Sequence, residues 1–302
     1  DQPELPDDGV LVHVQAASIH IGDSFVVRGL PKVMRPVFGL RRPKSSIPGT
    51  DIAGTVEAVG SAVSEWKVGD EVFGICKGAF AEYAVTESDQ LVARPENLDF
   101  VQAAAVGVSA HTALQALRDQ LKVEAGQKVL ITGASGGVGS FAIQIAKSMG
   151  AEVTAVCSTR NIERVTSIGA DHVIDYTAED FTQGSERYDR ILDNVAAHSL
   201  GATRGALAPD GLLSSNGAPV GGWFGGLSHV IKAMLISLVN KQQARPFLYT
   251  YSKAAGEALK VLVEEGKVAP LMDKTVPLDD GVAAVAHVAT GHAQGKTAIT
   301  MS

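Results

Sequence analysis

Along the first hundred residues, apolar and polar positions alternate in short runs: GVLVHV from Gly9, DIAGTVEAVG from Asp51, VGDEVFG from Val68 and AFAEYAV from Ala79. Gly, Pro and Asp cluster between them, so period-two runs bounded by turn residues predict short strands and an irregular β-rich domain. From about Val108 the pattern changes. KVLIT (Lys128–Thr132), EVTAVCS (Glu152–Ser158), HVID (His172–Asp175), RILDNV (Arg190–Val195) and GLLSSNG (Gly211–Gly217) are apolar runs of strand length. Helix-length segments separate the first four, and AAHSLGATRGALAPD precedes the fifth. Such alternation predicts a parallel sheet covered by crossover helices. FLYTY (Phe247–Tyr251) reads as a late strand near the edge of that domain. After Ser252 come a helix (KAAGEALKVLVEEG), the strand-like KTVPL, a second helix and a closing strand, KTAITM. By pattern alone this tail fits either domain.

At 302 residues the chain has the length of two domains, and 45% hydrophobic with 20% charged residues supports packed cores rather than disorder. A net charge of −7 leaves no general positive field for nucleic acid. Cys76 and Cys157 are the only cysteines, too few for a disulfide framework or a four-thiolate zinc site. They fit a reducing compartment, and a cytoplasmic protein is expected. The apolar run LSHVIKAMLISLV (Leu227–Val239) contains His229 and Lys232 and falls short of the roughly 20 residues a membrane span needs. It reads equally as a pocket lid beside Trp223 and Phe224 or as a subunit contact, and a homodimer is expected. Asp1 opens the chain without methionine or an apolar leader, so an upstream segment is expected and targeting cannot be read.

GASGGVG (Gly133–Gly139) lies between KVLIT and the helix-like SFAIQIAKSMGA. A strand turning sharply into a helix presents backbone amides to a pyrophosphate, and residues without bulk allow the approach. Ala134, Gly136 and Gly139 take the three glycine positions of the G-x-G-x-x-G fingerprint, while Ala142, Ile145, Ala146 and Met149 give the helix an apolar face. Ser135, Gly136, Gly137 and Val138 are therefore candidate cofactor contacts. NAD-selective folds place an acid about 20 residues further on, to bind the ribose 2′-hydroxyl. Here the second strand ends in STRN (Ser158–Asn161). Ser158 can donate to a 2′-phosphate and Arg160 can pair with it, so NADPH is the expected cofactor. Tyr176, ending HVIDY, is either a flank for the adenine ribose or a core tyrosine. Asn194 and Asn216 follow the fourth and fifth strands, at the carboxyl edge where such sheets bind ligands. Ser109 and Thr112 are candidates for the nicotinamide end, and His111 reads as a structural helical histidine.

Two dehydrogenase families compete for these features. TGASGGVG also fits a short-chain T-G-x-x-x-G-x-G loop, and YTYSK supplies Y-x-x-x-K as Tyr249 and Lys253, with Ser237 as the orienting hydroxyl. Against that reading, about 130 residues precede the loop, the N-N-A-G signature is missing at LDNVAA, and Ser252 looks like a helix N-cap between the two residues. By contrast, AASIHIGDSFVVRGLP, IPGTDIAGTVEAVGSAVSEWKVGDEVFG, GAFAEYAV, ASGGVGSFAIQIAKSMGAEVTAVCST, GADHVIDY and GHAQGKTAIT, in that order from Val10 to Met301, together resemble the medium-chain dehydrogenase/reductases. Within them the chain is similar to the zinc-independent quinone oxidoreductase-like branch.

The resemblance implies an α/β protein: a GroES-like β-rich catalytic domain from both chain ends (1–107 with 253–302) and a Rossmann doubly wound parallel-sheet domain (108–252). In zinc-using relatives a cysteine stands where this chain has His20, and G-H-E falls at Gly49, Thr50 and Asp51. Thr50 cannot replace the imidazole, so no metal is expected. Without a Lewis acid, hydride transfer to a quinone or an enone is the easier reaction, because hydrogen bonds can hold the resulting charge. The family's N-P-x-D-like element lines the interdomain cleft and is here HIGD, departing at His20 and Ile21. His20 is expected to polarise the carbonyl or supply a proton, or else to be structural; Asp23 reads as a catalyst or a turn anchor. Phe25 removes a phenol that some relatives carry. An NADPH-binding structural or regulatory protein with little turnover is the alternative from another class.

Overall fold

The computed structural model describes residues 2–30, 32, 35, 47–217, 243–246 and 249–301. Leu227–Val239, Trp223, Phe224 and Ser237 lie outside these residues. The chain divides into two compact units, one taking Asp1–Gly29, Pro36–His111 and Thr250–Ser302, the other Leu30–Arg35 and Thr112–Tyr249.

The first unit begins with β1 (Gly9–Ile19), whose eleven residues are almost all buried because partners flank it along its whole length. The start of β1 pairs antiparallel with β4 (Tyr83–Glu87), and β2 (Asp51–Val59) runs along its other side. Strands β3 (Glu71–Ile75) and β5 (Leu91–Ala93) extend the sheet from β2. Val10, Val12, Val14, Ile52, Val56, Val72 and Leu91 form its core. Helix α1 (Ile21–Arg28), absent from the sequence expectation, follows β1 directly and ends at Gly29 in the left-handed conformation (φ 59°). Its start escapes a sequence reading because histidine, rather than Ser, Thr, Asp or Asn, is the N-cap.

Helix α2 (Phe100–Leu114) kinks at Gly107 and continues as a π-type segment to Gln120. The stretch Phe100–Gln120 is long and apolar enough to cross a membrane, yet 72% of its apolar window is buried in the protein, as in a core helix.

In the second unit six parallel strands stand in the order β11-β10-β9-β6-β7-β8. They are β6 (Lys128–Thr132), β7 (Glu152–Cys157), β8 (His172–Asp175), β9 (Tyr188–Asp193), β10 (Leu207–Ser215) and β11 (Gln243–Pro246). Helices α3 (Gly137–Ser148), α4 (Ile162–Ser167) and α5 (Leu200–Gly205) lie between them in the chain. The chain steps from β6 out to β8, then returns to the far side of β6 at β9, so the switch point of this doubly wound sheet falls between β6 and β9. One expected element is corrected: Tyr249 is not in the late strand. Strand β11 is earlier, pairing Gln243–Pro246 with Leu212–Ser215, and its ladder stops where β10 stops at Ser215.

The tail belongs to the first unit. Helix α6 (Lys253–Glu264), β12 (Met272–Pro277), α7 (Gly281–Ala289) and β13 (Lys296–Thr300) return to it, and β13 pairs antiparallel with Ala16–Ile19 of β1. Ile19, Ala284, Val288 and Ile299 bury this closure.

Candidate functional site

At the carboxyl edge of the second unit, β6 turns at Gly133 (φ 59°) and Gly136 caps α3 without a side-chain hydrogen bond. The first amides of α3 therefore have no side-chain acceptor, which is the state that suits an anion. A Cβ on Gly139 would lie 2.2 Å from the Gly133 carbonyl, so glycine is what lets the helix start pack onto the loop.

Thr132 and Asp193 close the switch point: the Thr132 hydroxyl donates to Asp193 Oδ1 at 2.7 Å, and the Val195 and Ala196 amides donate to the same oxygen. Asn194 Nδ2 donates to the Thr132 carbonyl (2.9 Å), and Asn216 Nδ2 donates to Asn194 Oδ1 (3.0 Å). The two asparagines expected from separate strands are thus joined.

Beyond β7, Ser158 precedes a single 3₁₀ turn, Thr159–Asn161. Asn161, to which the sequence pattern assigns no role, is buried and donates from Nδ2 to Ser135 Oγ (2.9 Å) and Ser158 Oγ (3.2 Å). It ties the glycine loop to the end of the second strand. Asparagine carries no cofactor signature of its own, so only the spatial meeting of the two loops reveals it. Arg160 is exposed in the same turn. Thr159 Oγ1 donates to Asp175 Oδ2 at 2.5 Å, and Thr177 donates to Asp175 from both its amide and its hydroxyl. These bonds, the Thr159 hydroxyl first, hold the Asp175 carboxyl below its ordinary range. Tyr176 is 59% exposed beside them, which removes the core-tyrosine reading. Thr112 is buried in α2. These residues fit a dinucleotide: uncapped helix amides, hydroxyl donors and an exposed guanidinium meet at one sheet edge.

In the first unit, His20 and Asp23 form the capping box of α1. His20 Nδ1 accepts from the Gly22 amide at 3.0 Å, and Asp23 Oδ2 accepts from the His20 amide at 2.9 Å. With Nδ1 an acceptor, the neutral ring carries its proton on Nε2, which is enclosed and 3.5 Å from Asp23 Oδ1. Burial raises the Asp23 carboxyl above its ordinary range, opposed by His20. Thr50 donates to Asp23 Oδ1 at 3.3 Å.

Next to Thr50, Asp51 is fully buried; its Oδ1 accepts the Val108 amide at 2.8 Å, and its Oδ2 faces Lys296 Nζ at 3.2 Å. Lys296, 1% exposed, also donates to Ser109 Oγ (3.0 Å) and the Ile19 carbonyl (3.3 Å). A Cβ on Gly107 would lie 2.4 Å from Asp51 Cγ, so the kink of α2 needs glycine. Both Asp51 oxygens are therefore engaged at the position where zinc relatives place their motif's acid. In the sequence Lys296 stands only within GKTAIT; its burial comes from the pairing of β13 with β1.

Lys253 pairs with Glu65 and lies 5.2 Å from the Trp66 ring centre. Its ammonium thus has partners other than a tyrosine.

Residues 6–96 match the family described as alcohol dehydrogenase GroES-like domain, and residues 168–299 that described as zinc-binding dehydrogenase. A quinone-oxidoreductase homolog from chloroplasts of Spinacia oleracea is 34% identical, over 98% of this chain and 91% of its own length. The chloroplastic NADPH-dependent alkenal/one oxidoreductase of Arabidopsis thaliana is 31% identical, over 98% of this chain and 73% of its own. The solved quinone oxidoreductase of Coxiella burnetii is 28% identical with a TM-score of 0.88, covering 100% of this chain and 93% of that one.

Proposed function

Because the chain belongs to the medium-chain dehydrogenase/reductases, in their zinc-independent quinone oxidoreductase-like branch, we propose that it is an NADPH-dependent oxidoreductase reducing a small apolar quinone or α,β-unsaturated carbonyl. The observation that carries the cofactor reading is the turn after β7. It offers Ser158 and the exposed Arg160, places no acid at the strand end, and occupies the nearby Asp175 with hydroxyl and amide donors. Asp175 keeps its negative charge, but its oxygens face those donors instead of being offered to a ribose 2′-hydroxyl.

The uncapped start of α3 binds the pyrophosphate, and Asn194 and Asn216 shape the edge beside it. When bound, the nicotinamide supplies hydride. His20 has both ring nitrogens turned to the protein, so we assign it and Asp23 to holding the turn after β1, and the proton to water. The reaction needs no zinc, because Thr50 donates to Asp23 and Asp51 is held by Lys296 and Val108. The engaged Lys253 supports this reading over a short-chain Tyr249/Lys253 mechanism. A homodimer in a reducing, cytoplasmic setting completes the proposal; the two buried free cysteines suit the reducing setting alone, and light scattering and fractionation test the dimer and the location.

Turnover of NADPH and NADH against quinones, enones, alkenals and alcohols tests it. Conjugated acceptors are reduced with NADPH preferred, and alcohols are inert. No turnover on any acceptor, with NADPH still bound, would leave a structural or regulatory protein. Arg160→Ala weakens NADPH by about 1.5–3 kcal/mol, the scale of a hydrogen bond to a charged group, and NADH far less; equal losses would overturn the assignment of Arg160.

A further inference from the structure

We propose that Asn161 is a specificity-positioning residue: its side-chain amide sets the hydroxyls of Ser135 and Ser158 as hydrogen-bond donors toward the 2′-phosphate of NADPH, an inference resting on the cofactor reading above. A primary amide has two N–H hydrogens, and Asn161 Nδ2 has two hydroxyl oxygens in reach, at 2.9 and 3.2 Å. A hydroxyl that accepts from the amide keeps its own hydrogen for another partner. The two serines sit on different loops, one after β6 and one after β7, and both are partly exposed while Asn161 is only 4% exposed. Their free hydrogens therefore point away from the buried amide.

In this orientation both N–H hydrogens have hydroxyl acceptors and Oδ1 alone lacks a donor, and orphaned carbonyl oxygens are tolerated better than orphaned N–H groups. Bonds at both ends fix the turn in this arrangement, since the Asn161 amide donates to the Ser158 carbonyl at 2.8 Å and Thr159 is anchored on Asp175. In an NAD-selective fold a carboxylate orients ribose hydroxyls; here an amide orients protein hydroxyls, and the polarity of the edge is reversed.

The test measures binding of 2′,5′-ADP, NADPH and NADH by calorimetry, with ligand-free melting temperature, in the full-length protein. Asn161→Leu removes both donors without adding charge and lowers the NADPH-to-NADH affinity ratio about fivefold to tenfold, one hydrogen bond's worth. Asn161→Asp, of the same shape, turns both hydroxyls inward and lowers the ratio more than about tenfold. With Ser135→Ala and Ser158→Ala already present, Asn161→Leu changes the ratio less than about twofold, because its route is gone. Equal losses for both nucleotides, or the same loss without the serines, would show a merely structural asparagine and overturn the proposal. If the parent prefers NADPH and Arg160→Ala abolishes the preference while both Asn161 variants keep it, only the Asn161 assignment falls. If the parent neither prefers NADPH nor binds 2′,5′-ADP, the cofactor reading falls and takes this inference with it.

Discussion

Both units bury polar side chains at strand ends, but they do so with different chemistry. In the first, Lys296 and Asp51 meet as full charges, and every hydrogen-bonding atom of the pair is directed at the protein: the Val108 amide, Ser109 and the Ile19 carbonyl. In the second, Asn161 and its serines are neutral, and each hydroxyl, accepting from the Asn161 amide, keeps its own hydrogen for another partner. A buried charge left without its partner carries a large desolvation cost, so a charged cluster that is complete in itself acts as a clamp. Neutral hydroxyls and amides remain tolerable with or without an anion, and that is what a site that fills and empties requires. The contrast separates residues that hold the fold from residues proposed to meet a ligand, although a buried polar side chain, Lys296 or Asn161, stands at the centre of each group.

The sharpest way to break this comparison is Lys296→Met. It strands Asp51 as an uncompensated buried charge and should destabilise the protein by about 3–5 kcal/mol in chemical unfolding. Adding Asp51→Asn should recover much of that loss; if the single variant melts like the parent, the clamp is not one. Next in size is Thr132→Val at the switch point, which removes a donor to Asp193 and an acceptor for the Asn194 amide. About 1–3 kcal/mol of stability is at stake there, with both nucleotides weakened alike, in contrast to the selective loss at Asn161. His20→Ala removes a helix cap, an effect of roughly 0.5–2 kcal/mol on stability. Its kcat should stay within a few-fold of the parent, as should that of Tyr249→Phe, whereas a drop of about 10²-fold or more in either would identify a general acid.

The smallest effect concerns His111, fully buried in the first unit, stacked on Tyr251 and bonded through Nδ1 to the Gly107 carbonyl at 2.9 Å. Burial holds its imidazole below the usual histidine range. Between that lowered value and the unfolded value of about 6.5, the unfolded chain binds more protons, so stability falls as pH drops through this window. Melting curves from about pH 8 to 5 should show the decline, and His111→Leu should flatten it; an unchanged slope would mean that His111 does not titrate on unfolding. Prolonged chelation should move neither melting temperature nor turnover, and zinc lost together with activity would overturn metal independence.

Much of the parallel sheet was legible because β6–β10 are short apolar runs, although β10 extends back to Leu207 and α5 before it, at Leu200–Gly205, was not anticipated. The glycine loop was legible too, since its residues carry their constraint locally. Helix α1 was not, because its cap uses a histidine and an aspartate that read equally well as chemistry. FLYTY has strand composition, yet Tyr249 lies in no strand, and the register of β11 with β10 covers Gln243–Pro246.

Local pattern in the chain suffices to say where apolar runs form strands, where a strand turns through glycines into a helix, and that no acid stands at the end of the second strand. These are properties of neighbours in sequence, and periodicity and residue type express them directly. Folding was needed to bring Lys296 to Asp51 across 245 positions and Asn161 to Ser135 across 26. Folding likewise engages Asp175 with Thr159 and turns both nitrogens of His20 inward. A polar side chain becomes a clamp, a cap or a ligand donor according to which atoms its hydrogens reach, and the pairing of distant strands sets that geometry.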